Sequence, residues 1–388
     1  MMKNFNKSFT FFMPTRVEFG TGRIANIGEE VADFGKKPMV VFDKIIRTLP
    51  FFGKVIKSLK SIGLTPIVFD QVVPNPRDND VYDGVELYRE EKCDFLVAVG
   101  GGSSIDTAKA IGAVVSNNMT ISELESKGLN NSLPPLVAVP TTSGTGSEVT
   151  LYSVITDVKN HNKMILADRK LIPILSILDP EITLSLPPGP TAGTGMDALT
   201  HAIESYTCNI STPLTDGIAL YAIELIAKYL KKAVSEGSNL EVRAGMMLGS
   251  LMAGIAFNNT DLGSVHSMGE VMGGIFDTPH GVSMAIFLPY VLDYNKDVAP
   301  KKHALIARAF GVDTYNLSDI EAATEGVKFI KELNRVINIP SLSSLNVTPD
   351  SFDMMADLCM KHVCTPINAK PINKETYKEL YREAYKGK

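Results

Sequence analysis

Five short apolar runs recur through the first half of the chain: Met39–Phe42 (MVVF), Thr65–Phe69 (TPIVF), Phe95–Val99 (FLVAV), Leu136–Val139 (LVAV) and Ile174–Leu178 (ILSIL). Each is rich in β-branched residues, too short for a helix and bounded by Gly, Pro, Asn or Asp. Runs this continuous fit strands covered on both faces, the condition of a parallel sheet. Helix-like stretches such as Phe51–Ile62 and Asp78–Glu91 lie between them. Strand–helix alternation predicts an α/β, Rossmann-like domain with a nucleotide-binding edge.

The pattern changes at Leu186–Pro190 (LPPGP), where three prolines and a glycine are expected to break any helix or central strand. Beyond it the chain reads as helical over Thr191–Tyr206, Asp216–Ser235, Glu241–Asn258, Ser264–Ile275, Ser318–Leu333 and Lys374–Tyr385. Two domains are therefore expected, an α/β domain over 1–187 and an all-α domain over 188–388.

The net charge of −5 comes with no long basic run, which argues against nucleic acid or anionic membrane as a partner. MMKNFNKSFTFFMP lacks the apolar core of a signal peptide, and no apolar stretch reads as a membrane span. Cys93, Cys208, Cys359 and Cys364 form no CxxC pair and read as reduced thiols of a cytoplasmic protein.

Three segments of the first half carry polar chemistry. In DFLVAVGGGSSIDTAK (Asp94–Lys109) a buried strand runs into three glycines and then a helix. Glycines admit a phosphate close to the backbone, and the helix N-terminus offers free N–H groups. Gly101, Gly102, Ser103, Ser104, Ile105 and Asp106 are thus candidate pyrophosphate contacts, with a tight strand-to-helix turn as the plain alternative. Asp43 closes the strand VVFD, where an acid accepts from adenosine ribose hydroxyls and repels a 2′-phosphate, favouring NAD over NADP; the alternative is a local cap. VPTTSGTGSEVT (Val139–Thr150) supplies hydroxyls from Thr141, Thr142, Ser147 and Thr150.

In the second half, GMDALTHAIESY places Asp197 and His201 one helical turn apart, facing the same way. GSVHSMGEVMGGIFDTPHG carries His266 and His280, the latter in an apparent Pro-His-Gly turn. One carboxylate and three imidazoles suit Fe(II), Zn(II), Ni(II) or Co(II). His161, His303 and His362 read as structural.

With these segments the sequence resembles the iron-containing (group III) alcohol dehydrogenase family, in particular its NAD-dependent butanol and 1,3-propanediol dehydrogenases. The match starts at Met13-Pro14-Thr15 and Phe19-Gly20 and runs through Pro74-Asn75-Pro76, GGGSSID, PTTSGTGSEVT, Leu178-Asp179-Pro180 and GMDALTHAIE. It ends with His266, PHG and Thr365–Asn368. The resemblance implies a dehydroquinate synthase-like architecture with an active site in the cleft between domains. It implies Asp197, His201, His266 and His280 as metal ligands, Fe(II) ahead of Zn(II), and cofactor contacts that add Asn75 and Lys163. A homo-oligomer, such as a dimer, is expected on the same ground.

Two positions depart from the family. Many members carry a second histidine one turn after His266; here Glu270 stands there, able to relay a proton, approach the metal or orient the His266 ring. Lys370 replaces an arginine. The expected reaction is hydride transfer between a small primary alcohol, or its aldehyde, and NAD. Phe257, Val154, Met268 and Leu262 are expected on the substrate side. The rival readings are a polyol (glycerol-like) dehydrogenase, a lyase on the same architecture, and a non-catalytic binding protein.

Overall fold

The computed structural model describes residues 8–160 and 162–387. Its contacts divide the chain into an α/β unit, Met13–Ser185, and a helical unit that starts at Leu186 and includes the N-terminal segment up to Phe12. The N-terminal segment was expected with the α/β domain. Phe12 instead donates its N–H to Asn259 Oδ1 (2.6 Å) and accepts from Asn259 Nδ2 (3.2 Å), a pairing that leaves no trace in local sequence pattern.

Among the described residues of the α/β unit, eight strands form. They are β1 (Arg16–Phe19), β2 (Pro38–Asp43), β3 (Ile67–Val72), β4 (Phe95–Gly100), β5 (Leu136–Pro140), β6 (Tyr152–Asp157), β7 (Asn162–Ala167) and β8 (Leu175–Leu178). Six of them make one parallel sheet in the order β1-β8-β5-β4-β2-β3. β6 and β7 form a separate antiparallel hairpin.

Each central strand is buried on both faces, as its apolar run requires. Met39, Val41, Leu96, Ala98, Leu136 and Ala138 enter one apolar layer. Their neighbours Val40, Phe42, Phe95, Val97, Val99, Val137 and Val139 enter the other. Burying side chains of this size is worth about 1.5–3 kcal/mol each.

The helices of this unit are a single turn α1 (Ile27–Glu30), then α2 (Pro50–Ser61), α3 (Asp78–Glu90), α4 (Gly102–Asn117) and α5 (Ile121–Lys127). α5 opens with a capping box between Thr120 and Glu123. After β4 the chain crosses to β5, and after β2 to β3, on the opposite side. The carboxyl ends of β2 and β4 therefore flank a topological switch point, where open α/β sheets bind ligands.

The helical unit holds α6 (Pro188–Thr207), α7 (Pro213–Ser235), α8 (Leu240–Phe257), α9 (Ser264–Phe276), α10 (His280–Asn295), α11 (Pro300–Ala309), α12 (Asp319–Val336), α13 (Phe352–Lys361) and α14 (Lys374–Lys386). LPPGP does not break the helix; it starts it, with Pro188 and Pro190 in the first turn of α6. First-turn N–H groups have no intrahelical acceptor, so prolines cost nothing there. α8 is long and apolar enough to cross a membrane, but most of it is buried against its neighbours as a core helix. Pro289 lies inside α10 and cannot bond the carbonyl of Ala285. Asn334 of α12 donates to that carbonyl at 2.6 Å, so the buried acceptor is satisfied by a side chain.

Candidate metal centre and nucleotide edge

Three helices supply the quartet. α6 presents Asp197 and His201, buried among residues packed on every side. α9 carries His266, also buried. His280 is the first residue of α10, with Pro279 at its N-cap, where a simple turn was expected. Gly281 fixes this placement: a Cβ there would stand 2.1 Å from the Gly193 carbonyl oxygen, so only glycine lets the start of α10 lie against α6 one turn before Asp197.

The four ligand atoms lie within 4.8 Å of one another. Nε2 of His280, His201 and His266 stand 3.2, 3.8 and 4.0 Å from Asp197 Oδ1. Ligands of a tetrahedral ion with bonds near 2.1 Å are separated by about 3.4 Å. Asp197 Oδ1 and His266 Nε2 are fully buried without a hydrogen-bond partner. Such an atom costs about 1–3 kcal/mol unless something else pairs with it, and a shared cation at the focus of the quartet satisfies both. The residues present fit a divalent ion. Burial opposes charge on Asp197, but His201, His280 and His266 outweigh it and hold its carboxyl well below the usual carboxylate range.

The neighbours of the quartet orient it. Glu204, one turn beyond His201, accepts from His266 Nδ1 at 2.5 Å through Oε2, and from the Val265 N–H at 2.7 Å through Oε1. The His266 ring proton is thereby held on Nδ1 and Nε2 is left as the ligand nitrogen. Burial works against protonation of His266, yet this bond raises its pKa. The sequence reading passed over Glu204, although Asp197, His201 and Glu204 at i, i+4 and i+7 share one helix face. Phe257 stacks on His201, with ring centroids 4.4 Å apart. Met268 is sealed in the helical core. Asn368 accepts from the Ser264 N–H (3.3 Å) and from Asn295 Nδ2 (3.0 Å), pinning the start of α9. Lys370 pairs with Asp297 at 2.8 Å.

Glu270 sits one turn past His266 and accepts from His362 Nε2 at 2.9 Å. Burial raises its pKa, but the hydrogen bond and charge of His362, with the charges of His280 and His266, bring it to about 2. His362, read from sequence as structural, thus joins the site. His303 is buried in α11 and bonded to the Ala299 carbonyl. His161 lies outside the described residues.

In the α/β unit, the sheet order sets Asp43, the Gly100–Ser104 turn and Thr141-Thr142 at the carboxyl ends of adjacent strands β2, β4 and β5. Gly102 starts α4, and a Cβ on it would meet Thr145 at 2.8 Å, so the two loops pack directly. Gly101, Gly102, Ser103, Thr142, Asp43 and Lys163 are partly accessible, and Asn75 is exposed with φ of 53°. Asp43 Oδ1 accepts from the N–H groups of Ile45 (2.9 Å) and Ile46 (3.3 Å), so it caps the next turn and keeps Oδ2 for another donor.

Ser104, Ile105, Thr141, Ser147 and Thr150 are buried. Asp106 accepts from Ser147 Oγ (2.5 Å) and the Val154 N–H (3.1 Å). Lys109, fully buried, donates to the carbonyls of Thr150 (2.8 Å) and Tyr152 (2.7 Å) and to Ser147 Oγ (3.2 Å). These groups fasten the Ser147–Val154 segment to α4. The glycine motif alone assigns Lys109 no role; its complete burial gives it one.

Two family models cover nearly the whole chain. Residues 14–180 match "Iron-containing alcohol dehydrogenase", and residues 191–385 match "Fe-containing alcohol dehydrogenase family, C-terminal". The chain belongs to the iron-containing alcohol dehydrogenase family. A choline dehydrogenase of Bacillus subtilis (strain 168) is 40% identical over 389 residues, covering 99% of this chain and 97% of the relative. An NAD-dependent methanol dehydrogenase of Bacillus methanolicus is 36% identical, covering 96% and 99%. The crystal structure of a 1,3-propanediol oxidoreductase superposes with a TM-score of 0.95 at 39% identity, covering 97% of this chain and all of that one. The family member described here is a metal-dependent, NAD-linked oxidoreductase of alcohols and aldehydes.

Proposed function

We propose that the enzyme interconverts a small primary alcohol and its aldehyde, with NAD as hydride partner and Fe(II) held by Asp197, His201, His266 and His280. The observation that carries the reading is the convergence of one carboxylate and three imidazoles around two buried, unpaired ligand atoms. A divalent ion bound there supplies a Lewis acid that lowers the pKa of an alcohol oxygen and polarises a carbonyl.

The chain's own residues do the rest. Glu204 keeps His266 in the ligating tautomer. Phe257 covers one face of His201 and excludes water from it. At the nucleotide edge, the first N–H groups of α4 and the hydroxyls of Ser103 and Thr142 are the proposed pyrophosphate contacts. Asn75 and Lys163 are proposed contacts to the rest of the cofactor. Asp43 Oδ2 accepts from the adenosine ribose, which supports NAD over NADP. The alcohol proton leaves through water or a ribose hydroxyl. All four cysteines are free and buried, which supports a reducing, cytoplasmic location. A homo-oligomer, a dimer in the simplest case, belongs to the same reading and is read by light scattering.

The test is NADH formation, followed by absorbance, with methanol, 1-butanol, 1,3-propanediol and choline, under anaerobic conditions with and without Fe(II). Metal-dependent NADH formation with at least one alcohol is expected. Absence of NADH with every alcohol in the metal-loaded enzyme overturns the reading.

A further inference from the structure

Glu270 stands beside the quartet without being part of it. It lies one turn beyond His266 on the same face of α9 and feels the charges of both His266 and His280. Its partner is fixed in tautomer by the main chain. The Cys364 N–H can only donate, and it points at His362 Nδ1 from 3.3 Å. The ring proton of His362 is therefore on Nε2, directed at Glu270 Oε2. In this arrangement the His362 N–H occupies one carboxylate oxygen of Glu270. Glu270 Oε1 receives no hydrogen bond from the described residues, and with about a fifth of the side chain exposed (21%) it is open rather than sealed.

Glu204, Asp261 and the Cys364 thiol lie near Glu270. Burial chiefly raises the Asp261 pKa, and repulsion from Glu204 and Glu270 adds to it. Burial likewise raises the Cys364 thiol, helped by Glu270, Asp261 and Glu204. Among the described residues, no lysine or arginine pairs with any of these three carboxylates. An ion held by the quartet is already balanced in part by Asp197. A carboxylate held in place with one free oxygen, beside a site marked by unpaired ligand atoms, can take a further donor.

We propose that Glu270, positioned by His362, determines specificity and selects alcohols that carry a protonated amine. The inference rests on the alcohol-oxidation reading above. An ammonium gives Oε1 a charge-assisted hydrogen bond, about twice as strong as a neutral one. A terminal methyl leaves Oε1 unpaired, and sites built to bond a polar group reject the analogue that lacks it. A terminal carboxylate is repelled.

The test uses three alcohols with the same number of heavy atoms: 1-butanol, 1,3-propanediol and 3-amino-1-propanol, ending in methyl, hydroxyl and ammonium. With the metal-loaded enzyme and NAD near pH 7.5, kcat/KM rises in that order, the amine at least about tenfold above 1-butanol and mainly through KM. Glu270→Gln lowers the amine-to-butanol ratio at least about tenfold, and the ratio is insensitive to losses of fold or metal that affect both substrates. Calorimetry of 3-amino-1-propanol binding to the NADH-loaded enzyme gives a readout independent of turnover, and Glu270→Gln weakens that binding as well. A wild-type enzyme that uses 1-butanol as well as the amine overturns the proposal. So does a ratio that Glu270→Gln leaves unchanged, including an equal loss for all three alcohols. Absence of turnover with every alcohol overturns the alcohol reading instead, and calorimetry still decides the role of Glu270.

Discussion

The α/β unit and the helical unit build their polar sites by opposite means. At the nucleotide edge the working groups are main-chain N–H groups and short hydroxyls at the ends of adjacent strands. Buried side chains such as Lys109 and Asp106 hold those loops from behind. In the helical unit the working atoms are side-chain tips from three helices, and the backbone only brings them together, through contacts as tight as Gly281 on Gly193. A main-chain site tolerates single side-chain changes, because several N–H groups share the load. A side-chain site does not, because each atom is irreplaceable.

The contrast breaks first at the quartet. His266→Ala removes a ligand and leaves Asp197 buried beside an incomplete set; metal content falls and kcat/KM drops on the order of a thousandfold. Metal analysis with alcohol kinetics reads both, and full activity with bound metal would remove His266 from the site. Glu204→Gln acts one step back. It keeps the shape but weakens the bond that holds the His266 tautomer, so metal affinity falls about 10–100-fold. Chelator competition measures it, and an unchanged affinity would leave Glu204 a packing residue only.

At the nucleotide edge the effects are smaller. Asp43→Gly removes the carboxylate that supports NAD over NADP while the N–H groups of α4 remain. The ratio of kcat/KM for NAD over NADP is expected to fall about tenfold, one lost charged hydrogen bond. A ratio that does not move would confine Asp43 to capping Ile45 and Ile46.

The same contrast explains what could be read in advance. Each of the five apolar runs overlaps a strand, with only Thr65, Pro66 and Ile174 falling outside, since a strand buried on both faces must be apolar. β1 escaped notice because Arg16-Val17-Glu18-Phe19 is a short edge strand with charges on alternate residues. The β6–β7 hairpin, whose residues alternate between buried and partly exposed, was not among the expected strands. α10 was hidden by Pro289, whose lost hydrogen bond is repaired by Asn334, 49 positions beyond the Ala285 carbonyl it bonds. Motifs at strand ends are contiguous, so the glycine turn could be located from its own residues. The quartet needed family spacing, because no local pattern joins His266 to Asp197. His362 was illegible for the same reason: only the packing of the segment after α13 against α9 brings it to Glu270.

The last test, on stability rather than turnover, concerns the buried framework behind the nucleotide edge. Glu148 is almost fully enclosed (3%), and burial is the main cause that raises its pKa to about 7, against the lowering effects of its own backbone and Lys109. The unfolded chain titrates this group near its ordinary value of about 4.3. Between the two values the folded protein binds more protons than the unfolded one, so stability falls as pH rises. The contribution is fully present below the ordinary value and is lost as pH rises through 7. At about 1.36 kcal/mol per pKa unit, the loss is on the order of 3 kcal/mol. Lys109, which burial lowers to about 8, titrates above most of this window. Glu148→Gln has no proton to lose, so its stability relative to wild type should rise by about 1–3 kcal/mol from pH 5 to pH 7.5 in urea unfolding. Parallel curves across that range would show that Glu148 is ionised within the fold, and that Lys109 holds the loop as half of a buried ion pair rather than as a lone cation among carbonyls.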